Sequence, residues 1–396
     1  MDGLSRAQPP ISPIASLLAG ARPGHALRQD FYRSPQIFER DMDLLLGRWT
    51  CAGHASDLAR PGDYLVAELG LESAILVRGT DGQVRALANV CRHRGSRVCT
   101  KAQGHAAVLT CPYHAWTYNL DGSLRQAREM PDGFDPTAHG LLGLPVRLVG
   151  GLIFVSFGQA PPSMEDAAAA LSGMTQAYGW ENARVAVRKT YSVRANWKLA
   201  LENYHECYHC GPAHPEFSGL HALARPNSRQ ITSQDSESWD AVADGAEVFR
   251  VMHSAMSENA GTGSRDGQAL APLMGGKSLG SGCVFAELGF LSAFLAYPDH
   301  GVIYRFIPRA LLETEMEVIW LVRGDAQAGR DYDEAALTWL WDITSLADKK
   351  IIERNQAGVL SRAYQPGPFS RMEPGTQQYV SRYVAELAAL EAGHEI

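Results

Sequence analysis

Two short segments of this chain each pair a cysteine with a histidine. Cys91 and His93 are separated by one residue, Cys111 and His114 by two, and residues 94–110 lie between the pairs. Two cysteines and two histidines can hold one tetrahedral zinc ion. They can also hold a two-iron two-sulfur cluster in which two thiolates bind one iron and two imidazoles bind the other. The spacing leaves both metals open, and either needs a rigid scaffold that aims two loops at one point.

The sequence around these pairs has the pattern of short strands. From about residue 45 to 160, apolar residues run or alternate in segments such as DYLVAEL, SAILVRG and VRLVGGLIFVSF. Asp81 with Gly82 and Asp121 with Gly122 are turn signals of the kind that joins antiparallel strands. The pattern predicts a small all-β domain over residues 45–160.

The sequence from residue 161 to 396 mixes helical and strand patterns. NWKLALENYHECYHC is predicted to be one helix that ends at Gly211 and Pro212. Strands are predicted after residue 282, and a long helix from about 332 to 360. Residues 254–282 are rich in Gly and Ser, which favours a mobile loop or lid. We expect an α+β domain, an antiparallel sheet with helices packed on one face.

Charge, apolar runs and cysteine usage exclude several classes of function. The formal net charge of -7 gives no basic surface for nucleic acid. The longest apolar runs are too short to span a membrane. Prolines interrupt the apolar segment near the N-terminus, which argues against a signal peptide. Seven cysteines form no disulfide-like pattern, so a reducing cytoplasm is the expected location.

A second group of metal-binding residue types lies near the middle of the chain. Glu202, Glu206 and His209 recur at spacings of four and three, which places them on one face of the predicted helix. His214 follows a Gly-Pro break that lets the chain turn back towards His209. Two histidines and one carboxylate on one side of an Fe(II) ion leave positions open for oxygen and substrate.

Other cysteines and histidines have alternative interpretations. Cys207 and Cys210 form a Cys-x-x-Cys pair that could be redox-active or bind zinc, but neither a second pair nor a thioredoxin-like context accompanies it. His205 and His221 lack partners at metal spacing, which favours structural roles. Cys99 is interpreted as a small buried hydrophobic residue.

Both groups lie in segments that resemble one protein family. NVCRHRGSRVC and CPYHAWTYNLDG resemble the paired ligand loops of Rieske proteins, and NWKLALENYHECYHCGPAH resembles the iron motif of Rieske non-haem iron oxygenase α subunits. The resemblance extends from QIFERDMDLLLGRWTCAG to AYQPGPFSR, nearly the whole chain. It implies an N-terminal all-β Rieske domain and a C-terminal helix-grip (START-like) catalytic domain of α+β class, with residues 1–44 packing on the catalytic domain.

The resemblance also implies roles for individual residues. The [2Fe-2S] ligands would be Cys91, His93, Cys111 and His114, and the mononuclear Fe(II) ligands would be His209, His214 and Asp348, with Asp342 as the fallback for the carboxylate. The family often has Asp where this chain has Glu206, with one fewer residue after the Asn. That carboxylate would bridge His209 to His114 of a neighbouring subunit. Asn203 is a candidate supporting group for the iron site.

Assembly and partners follow from the same resemblance. The family most often forms trimers in which each iron site uses the cluster of the neighbouring subunit. The sequence has neither a plant-type Cys-x4-Cys-x2-Cys run nor a dinucleotide fingerprint. A separate flavin and iron-sulfur reductase, supplied by NADH or NADPH, is therefore expected to deliver electrons for the reaction with O2.

The substrate class is predicted from finer similarity. ECYHC, PAHPEF and GVLSRAYQPGPFS are most similar to oxygenases that demethylate glycine betaine, proline betaine and carnitine. Aromatic rings bind such cations favourably. Alternatives are a hydroxylase of aromatic rings or acids, and a Rieske protein that only transfers electrons. The candidate cage residues are Tyr204, Trp239, Phe249, Phe285, Phe290, Tyr297, Tyr304 and Trp320.

Overall fold

Two units of different architecture follow each other along the chain. A computed structural model describes residues 13–221 and 247–393. The candidate cage residue Trp239 lies outside the described residues. Three helices come first: α1 (Ile14–Ala19), α2 (Asp30–Arg33) and α3 (Pro35–Leu46).

The first unit consists of short antiparallel strands in three small sheets. The sheet orders are β1-β11-β10, β5-β2-β3-β4-β9 and β6-β7-β8. The strands are β1 (Thr50–His54), β2 (Asp63–Leu69), β3 (Glu72–Arg78), β4 (Val84–Ala88), β5 (Gln103–His105), β6 (Leu109–Thr110), β7 (Thr117–Tyr118), β8 (Leu124–Gln126), β9 (Gly143–Leu144), β10 (Val146–Val149) and β11 (Leu152–Val155). The predicted all-β class is confirmed for this unit.

Tight turns and a small core fix the two loops that contain the Cys-His pairs. Gly82 joins β3 to β4 and Gly122 joins β7 to β8, both with positive φ, a conformation that glycine adopts without steric cost. Trp116 and Tyr118 are buried with Cys91 and Cys111 in one hydrophobic cluster. The strands therefore present two loops above a shared apolar base.

The second unit is built on a six-stranded antiparallel sheet. Its order is β12-β17-β16-β15-β14-β13. The strands are β12 (Ala183–Val193), β13 (Phe249–Ser254), β14 (Cys283–Leu288), β15 (Ser292–Ala296), β16 (Gly301–Ala310) and β17 (Glu313–Arg323). The helices are α4 (Glu165–Ala177), α5 (Trp197–Tyr204), α6 (Cys210–Ala213), α7 (Pro215–Leu220), α8 (Glu334–Val359) and α9 (Pro374–Glu391).

Both faces of this sheet are buried, against different partners. Alternate residues of β17 point to opposite faces, because successive side chains of a strand do so. Val318 and Trp320 join the cluster that contains residues of α5, α8 and α9, whereas Ile319 and Leu321 join the cluster with α4 and the first unit. The α+β class is confirmed, and strands of the first unit cover the face opposite α8.

The Gly- and Ser-rich segment predicted to be mobile is hydrogen-bonded to the turn between β15 and β16. Buried Asp299 accepts hydrogen bonds from the Thr262 hydroxyl at 2.6 Å and from the Leu270 backbone N–H at 2.7 Å. Within residues 13–221 and 247–393, no helix combines the length and apolar character needed to cross a bilayer.

The N-terminal helices are fixed to the second unit by one buried carboxylate. Asp41 of α3 accepts hydrogen bonds from Trp197 Nε1 at 3.0 Å and from the Tyr383 hydroxyl at 2.7 Å. It also forms an ion pair with Lys198, and both of these side chains are fully buried. Asp41 therefore ties α3 to α5, which leads into the iron-site segment, and to α9.

Replacement of Asp41 by Ala is expected to destabilise the protein strongly. The change leaves the Lys198 ammonium buried without its partner, which costs about 3–5 kcal/mol in free energy of unfolding. The matched control is Asp43→Ala, which removes a half-exposed ion pair with Arg40 and should cost less than about 1 kcal/mol. Chemical denaturation of both variants measures the difference, and equal losses would contradict the role given to Asp41.

Candidate metal centres

The two cysteine-histidine loops have the same backbone design. The Gly95 N–H bonds the Cys91 carbonyl at 2.9 Å, and the Ala115 N–H bonds the Cys111 carbonyl at 3.1 Å. Gly95 and Ala115, each four residues after the cysteine, both have positive φ. Ala115 is one of only two non-glycine residues with positive φ among the described residues. Each loop is thus a tight turn that brings its histidine back over its cysteine.

The four side chains are arranged as an inner and an outer pair. Cys91 and Cys111 are buried, whereas His93 and His114 are exposed with their Nδ1 atoms 3.1 Å apart. Trp116 stacks on the His93 ring at 4.9 Å between centroids. Two thiols inside and two converging imidazole nitrogens outside fit a cluster with Cys ligands on one iron and His ligands on the other.

Hydrogen bonds to its sulfur atom favour a thiolate at Cys111. Burial raises the pKa of Cys111, but backbone N–H groups of Tyr113 and His114, together with Cys91, more than offset this and leave the pKa below its ordinary value. The Tyr118 hydroxyl lies 3.2 Å from Cys91 Sγ. Tyr118 was not predicted as a site residue, although its place in CPYHAWTY, four residues after His114, was a usable signal.

The second centre brings together three residues from two distant segments. Ligand atoms of His209, His214 and Asp348 all lie within 4.8 Å of one another. His214 Nε2 is 2.8 Å and His209 Nε2 is 3.3 Å from Asp348 Oδ1. Burial raises the pKa of Asp348, but hydrogen bonds from both imidazoles hold it below its usual range. The carboxylate is therefore ionised, as a metal ligand must be.

The segment before His209 is not the continuous helix that was predicted. α5 ends at Tyr204, and α6 begins only at Cys210. Glu206 causes part of this break, because its carboxylate accepts the backbone N–H groups of Tyr208 and His209 in place of helical carbonyls. The prediction that Glu202, Glu206 and His209 share one helix face is wrong for this reason.

These three residues nevertheless line one cavity of about 280 Å³, together with Asn203 and Glu373. Glu206 Oε1 is 2.5 Å from His209 Nδ1, the ring atom that faces away from Asp348. Asn203 Nδ2 is 3.3 Å from His209 Nε2. The structure thus places Glu206 and Asn203 directly against His209.

Three side chains considered for this centre lie elsewhere. Asp342 bonds the Tyr191 hydroxyl and forms an ion pair with Lys189 at 2.9 Å, outside the metal-binding group. His205 pairs with Glu287 at 3.1 Å. His221 is buried, and its Nε2 bonds the Tyr297 hydroxyl at 2.8 Å.

Cys207 and Cys210 are joined as a disulfide across the iron-site loop. Their Cα atoms are 4.8 Å apart. This pairing leaves neither sulfur free to bind zinc. The other five cysteines are free and buried.

Several aromatic side chains form one continuous group between α7 and α8. Phe217 stacks on His221 at 4.1 Å and lies 5.5 Å from Trp341, and Phe285 and Tyr297 extend the contact. Of the candidate cage residues, Tyr204 and Tyr304 also connect to this group through Trp341. Phe249, Phe290 and Trp320 pack elsewhere in the cores, while Phe217, His221 and Trp341 were not predicted as cage members.

Two protein families match this chain. Residues 48–142 match the Rieske [2Fe-2S] domain, and residues 180–389 match the ring hydroxylating alpha subunit (catalytic domain). The chain is 36% identical over 392 residues to the glycine betaine monooxygenase oxygenase subunit of Chromohalobacter salexigens, covering 93% of this chain and 87% of that protein. It is 38% identical over 193 residues to the carnitine monooxygenase oxygenase subunit of Acinetobacter baumannii, covering 48% of this chain and 52% of that one.

Solved structures show the same fold. The quaternary ammonium Rieske monooxygenase CntA in complex with L-carnitine superimposes with a TM-score of 0.72 and 25% identity, over 96% of this chain and 98% of that one. Naphthalene 1,2-dioxygenase from Rhodococcus sp. has a TM-score of 0.66 at 17% identity, over 92% of this chain and 94% of that one, and shows the fold alone.

Replacement of Tyr118 by Phe is expected to lower the reduction potential of the cluster. The hydroxyl near Cys91 Sγ stabilises the more negative, reduced form, and one such bond contributes about 1 kcal/mol. For one electron this corresponds to a decrease of roughly 30–60 mV. Tyr64→Phe, which removes a hydroxyl that lies beside Gly104 of β5 in the same unit, is the control. Potentiometric titration of the visible spectrum measures the shift, and an unchanged potential would contradict the contact.

Proposed function

The chain belongs to the Rieske-type ring-hydroxylating oxygenase α subunits, and we propose that it removes an N-methyl group from a quaternary ammonium substrate such as a betaine. As a member of this family it is an oxidoreductase with a Rieske [2Fe-2S] cluster, a mononuclear iron and O2 as co-substrate. The observation that carries the substrate proposal is the 36% identity to a glycine betaine monooxygenase subunit along nearly the whole chain. The catalytic-domain match disfavours a protein that only transfers electrons.

The geometry supports a specific assignment of ligands. Cys91, His93, Cys111 and His114 would hold the cluster, and His209, His214 and Asp348 would hold the iron. When bound, the iron supplies the oxidising chemistry, and the protein supplies orientation and access. Glu206 accepts the Nδ1–H of His209, so Nε2, which faces Asp348, would be the atom that binds the metal.

The aromatic group supports a cationic substrate. Both helices that contribute to it also adjoin iron-site residues, because His214 precedes Phe217 of α7 and Asp348 follows Trp341 two turns along α8. Burial lowers the pKa of His221 to about 4, so its ring is neutral near pH 7 and does not repel a cation. Desolvated contacts between a cation and aromatic rings contribute about 2 kcal/mol.

The Tyr204 hydroxyl is the donor proposed for the other end of a betaine. The Tyr204 hydroxyl is fully buried and has no hydrogen-bond partner within residues 13–221 and 247–393. A buried hydroxyl without a partner costs free energy. A substrate carboxylate would accept this hydrogen bond, whereas an unsubstituted aromatic hydrocarbon would not.

The reaction then proceeds by hydroxylation of an N-methyl carbon. One oxygen atom enters the C–H bond, and the other leaves as water after two electrons and two protons are supplied. The N–CH2OH product breaks its C–N bond, releases formaldehyde and a proton, and leaves the tertiary amine.

Electrons are proposed to come from a separate flavin and iron-sulfur reductase that oxidises NADH or NADPH. The names of the relatives as oxygenase subunits support a second component. A homotrimer would place the exposed His114 of one subunit against Glu206 of the next. Glu206 then connects the two metal centres by holding one imidazole on each side.

The purified enzyme is expected to release formaldehyde from trimethylated amino acids. With an electron donor and O2, glycine betaine or a related compound should yield one formaldehyde per molecule demethylated. Salicylate and naphthalene serve as matched aromatic substrates. Turnover of an aromatic compound, with no formaldehyde from any betaine, would reject the substrate proposal.

His209→Ala and Glu206→Gln should have different effects on iron and activity. The wild-type chain should contain about three irons, and His209→Ala should lose the mononuclear one and keep the cluster spectrum. Glu206→Gln should keep all three irons and slow turnover by about 10–100-fold. Glu258→Gln, an exposed carboxylate elsewhere, is the control. Full iron and normal turnover in His209→Ala would contradict the assignment.

A further inference from the structure

We infer that Cys207 and Cys210 are a reversible thiol-disulfide site whose disulfide form holds Glu206 and His209 in place for electron transfer. This inference rests on the proposed function, because it concerns the carboxylate and imidazole proposed to connect the two metal centres. The disulfide closes a four-residue loop, and the two residues inside it are Tyr208 and His209.

The cross-linked loop contains the groups that position Glu206. The Glu206 carboxylate accepts the backbone N–H groups of Tyr208 and His209, and its other oxygen contacts His209 Nδ1 at 2.5 Å. Both backbone donors lie between the two cysteines. A covalent link across so short a loop restricts its backbone, and therefore restricts the orientation of the Glu206 carboxylate.

The two cysteines differ in how firmly the rest of the fold holds them. Cys210 is buried, and its carbonyl accepts hydrogen bonds from the Ser218 hydroxyl and the His214 N–H, both at 2.9 Å. Cys207 is exposed, as is half of the neighbouring Tyr208 side chain. Cleavage of the disulfide would therefore release the Glu206 side of the loop and leave the His214 side anchored.

This asymmetry predicts which property changes with the redox state. His214 and Asp348 stay fixed by contacts that do not involve the disulfide, so the thiol form should still retain iron. The contact between Glu206 and His209 loses its covalent support, so electron transfer between the centres should slow. The pair would therefore regulate the rate of the reaction and leave the metal content unchanged.

Oxidation of Cys207 and Cys210 needs only a hydroperoxide, and reduction of their disulfide needs only a thiol. Two thiols and one hydroperoxide molecule give one disulfide, and each sulfur loses one electron and one proton. The O–O bond is reduced to water and an alcohol, or to two waters when the oxidant is hydrogen peroxide. In the reverse direction, a thiolate attacks the exposed Cys207 Sγ, and Cys210 leaves as a thiolate. A second thiolate of the reductant then resolves the mixed disulfide.

The first experiment measures the redox state without any turnover. The holoenzyme is equilibrated without O2 in glutathione buffers of graded ratio, alkylated, and analysed by mass spectrometry of the peptide that contains both cysteines. We expect the pair to change from dithiol to disulfide within this range. A pair that remains a dithiol in the most oxidising buffer, or a disulfide in the most reducing one, overturns the inference.

The second experiment measures electron transfer in the two forms. The reduced cluster is mixed with O2, with and without glycine betaine, and its visible spectrum is followed as it reoxidises. We expect reoxidation to be roughly tenfold slower in the dithiol form, with equal iron content. Cys207→Ser and Cys210→Ser should show the slow rate in every buffer. Cys283→Ala, which removes a buried free thiol elsewhere, should respond like the wild type.

The possible failures are distinguishable. Equal rates in the two wild-type forms, or a continued response in Cys207→Ser, overturns the inference. Absence of formaldehyde from every betaine rejects the substrate proposal only, because the thiol titration and the reoxidation with O2 alone need no substrate.

Discussion

The contact of Asp348 with His209 and His214 connects the two parts of the catalytic unit, and the proposed iron site lies where they meet. Asp348 is separated from His214 by 134 residues, and it reaches both imidazoles because α8 packs against β12 and β17 of the sheet and against α5. The sheet therefore functions as the support that aligns a helix with a loop. Burial of that carboxylate is tolerated because two imidazoles compensate its charge, and a metal ion bound there would do the same.

The two proposed metal centres differ in how far their histidines are exposed to solvent. In the Rieske unit the proposed sulfur ligands are buried and the histidines exposed, so electrons would have a short route out through His93 and His114. In the catalytic unit His214 is buried and His209 and Asp348 are partly buried, and His209 contacts Glu206, which lines the cavity beside it. The exposed histidines suit an electron donor that contacts another subunit. The iron site, which lies deeper and has the Glu206 carboxylate beside it, suits the acceptor. This arrangement fits the proposed electron transfer between subunits better than electron transfer within one subunit.

The N-terminal segment contributes to the iron site from a distance. Asp41 of α3 fixes Lys198 and Trp197 at the start of α5, and Tyr32 of α2 bonds the buried carboxylate of Glu202 near its end. α5 leads directly into the loop with Glu206 and His209. The position of that loop is therefore set by helices that precede the Rieske unit in sequence, which explains why both units and the N-terminal segment form one interdependent structure.

The sequence by itself determined the ligand types, their spacing and the two fold classes. Cys91, His93, Cys111 and His114 were identifiable as candidate metal ligands because each cysteine lies within three residues of its histidine, and β17 because a run of apolar residues is a local property. Only the tertiary structure decided the end of α5 at Tyr204, the disulfide between Cys207 and Cys210, the contact of Tyr118 with Cys91, and the aromatic group around His221. The end of α5 depends on side-chain contacts that override helix propensity, and the aromatic group joins segments far apart in the chain, so a local sequence pattern encodes neither.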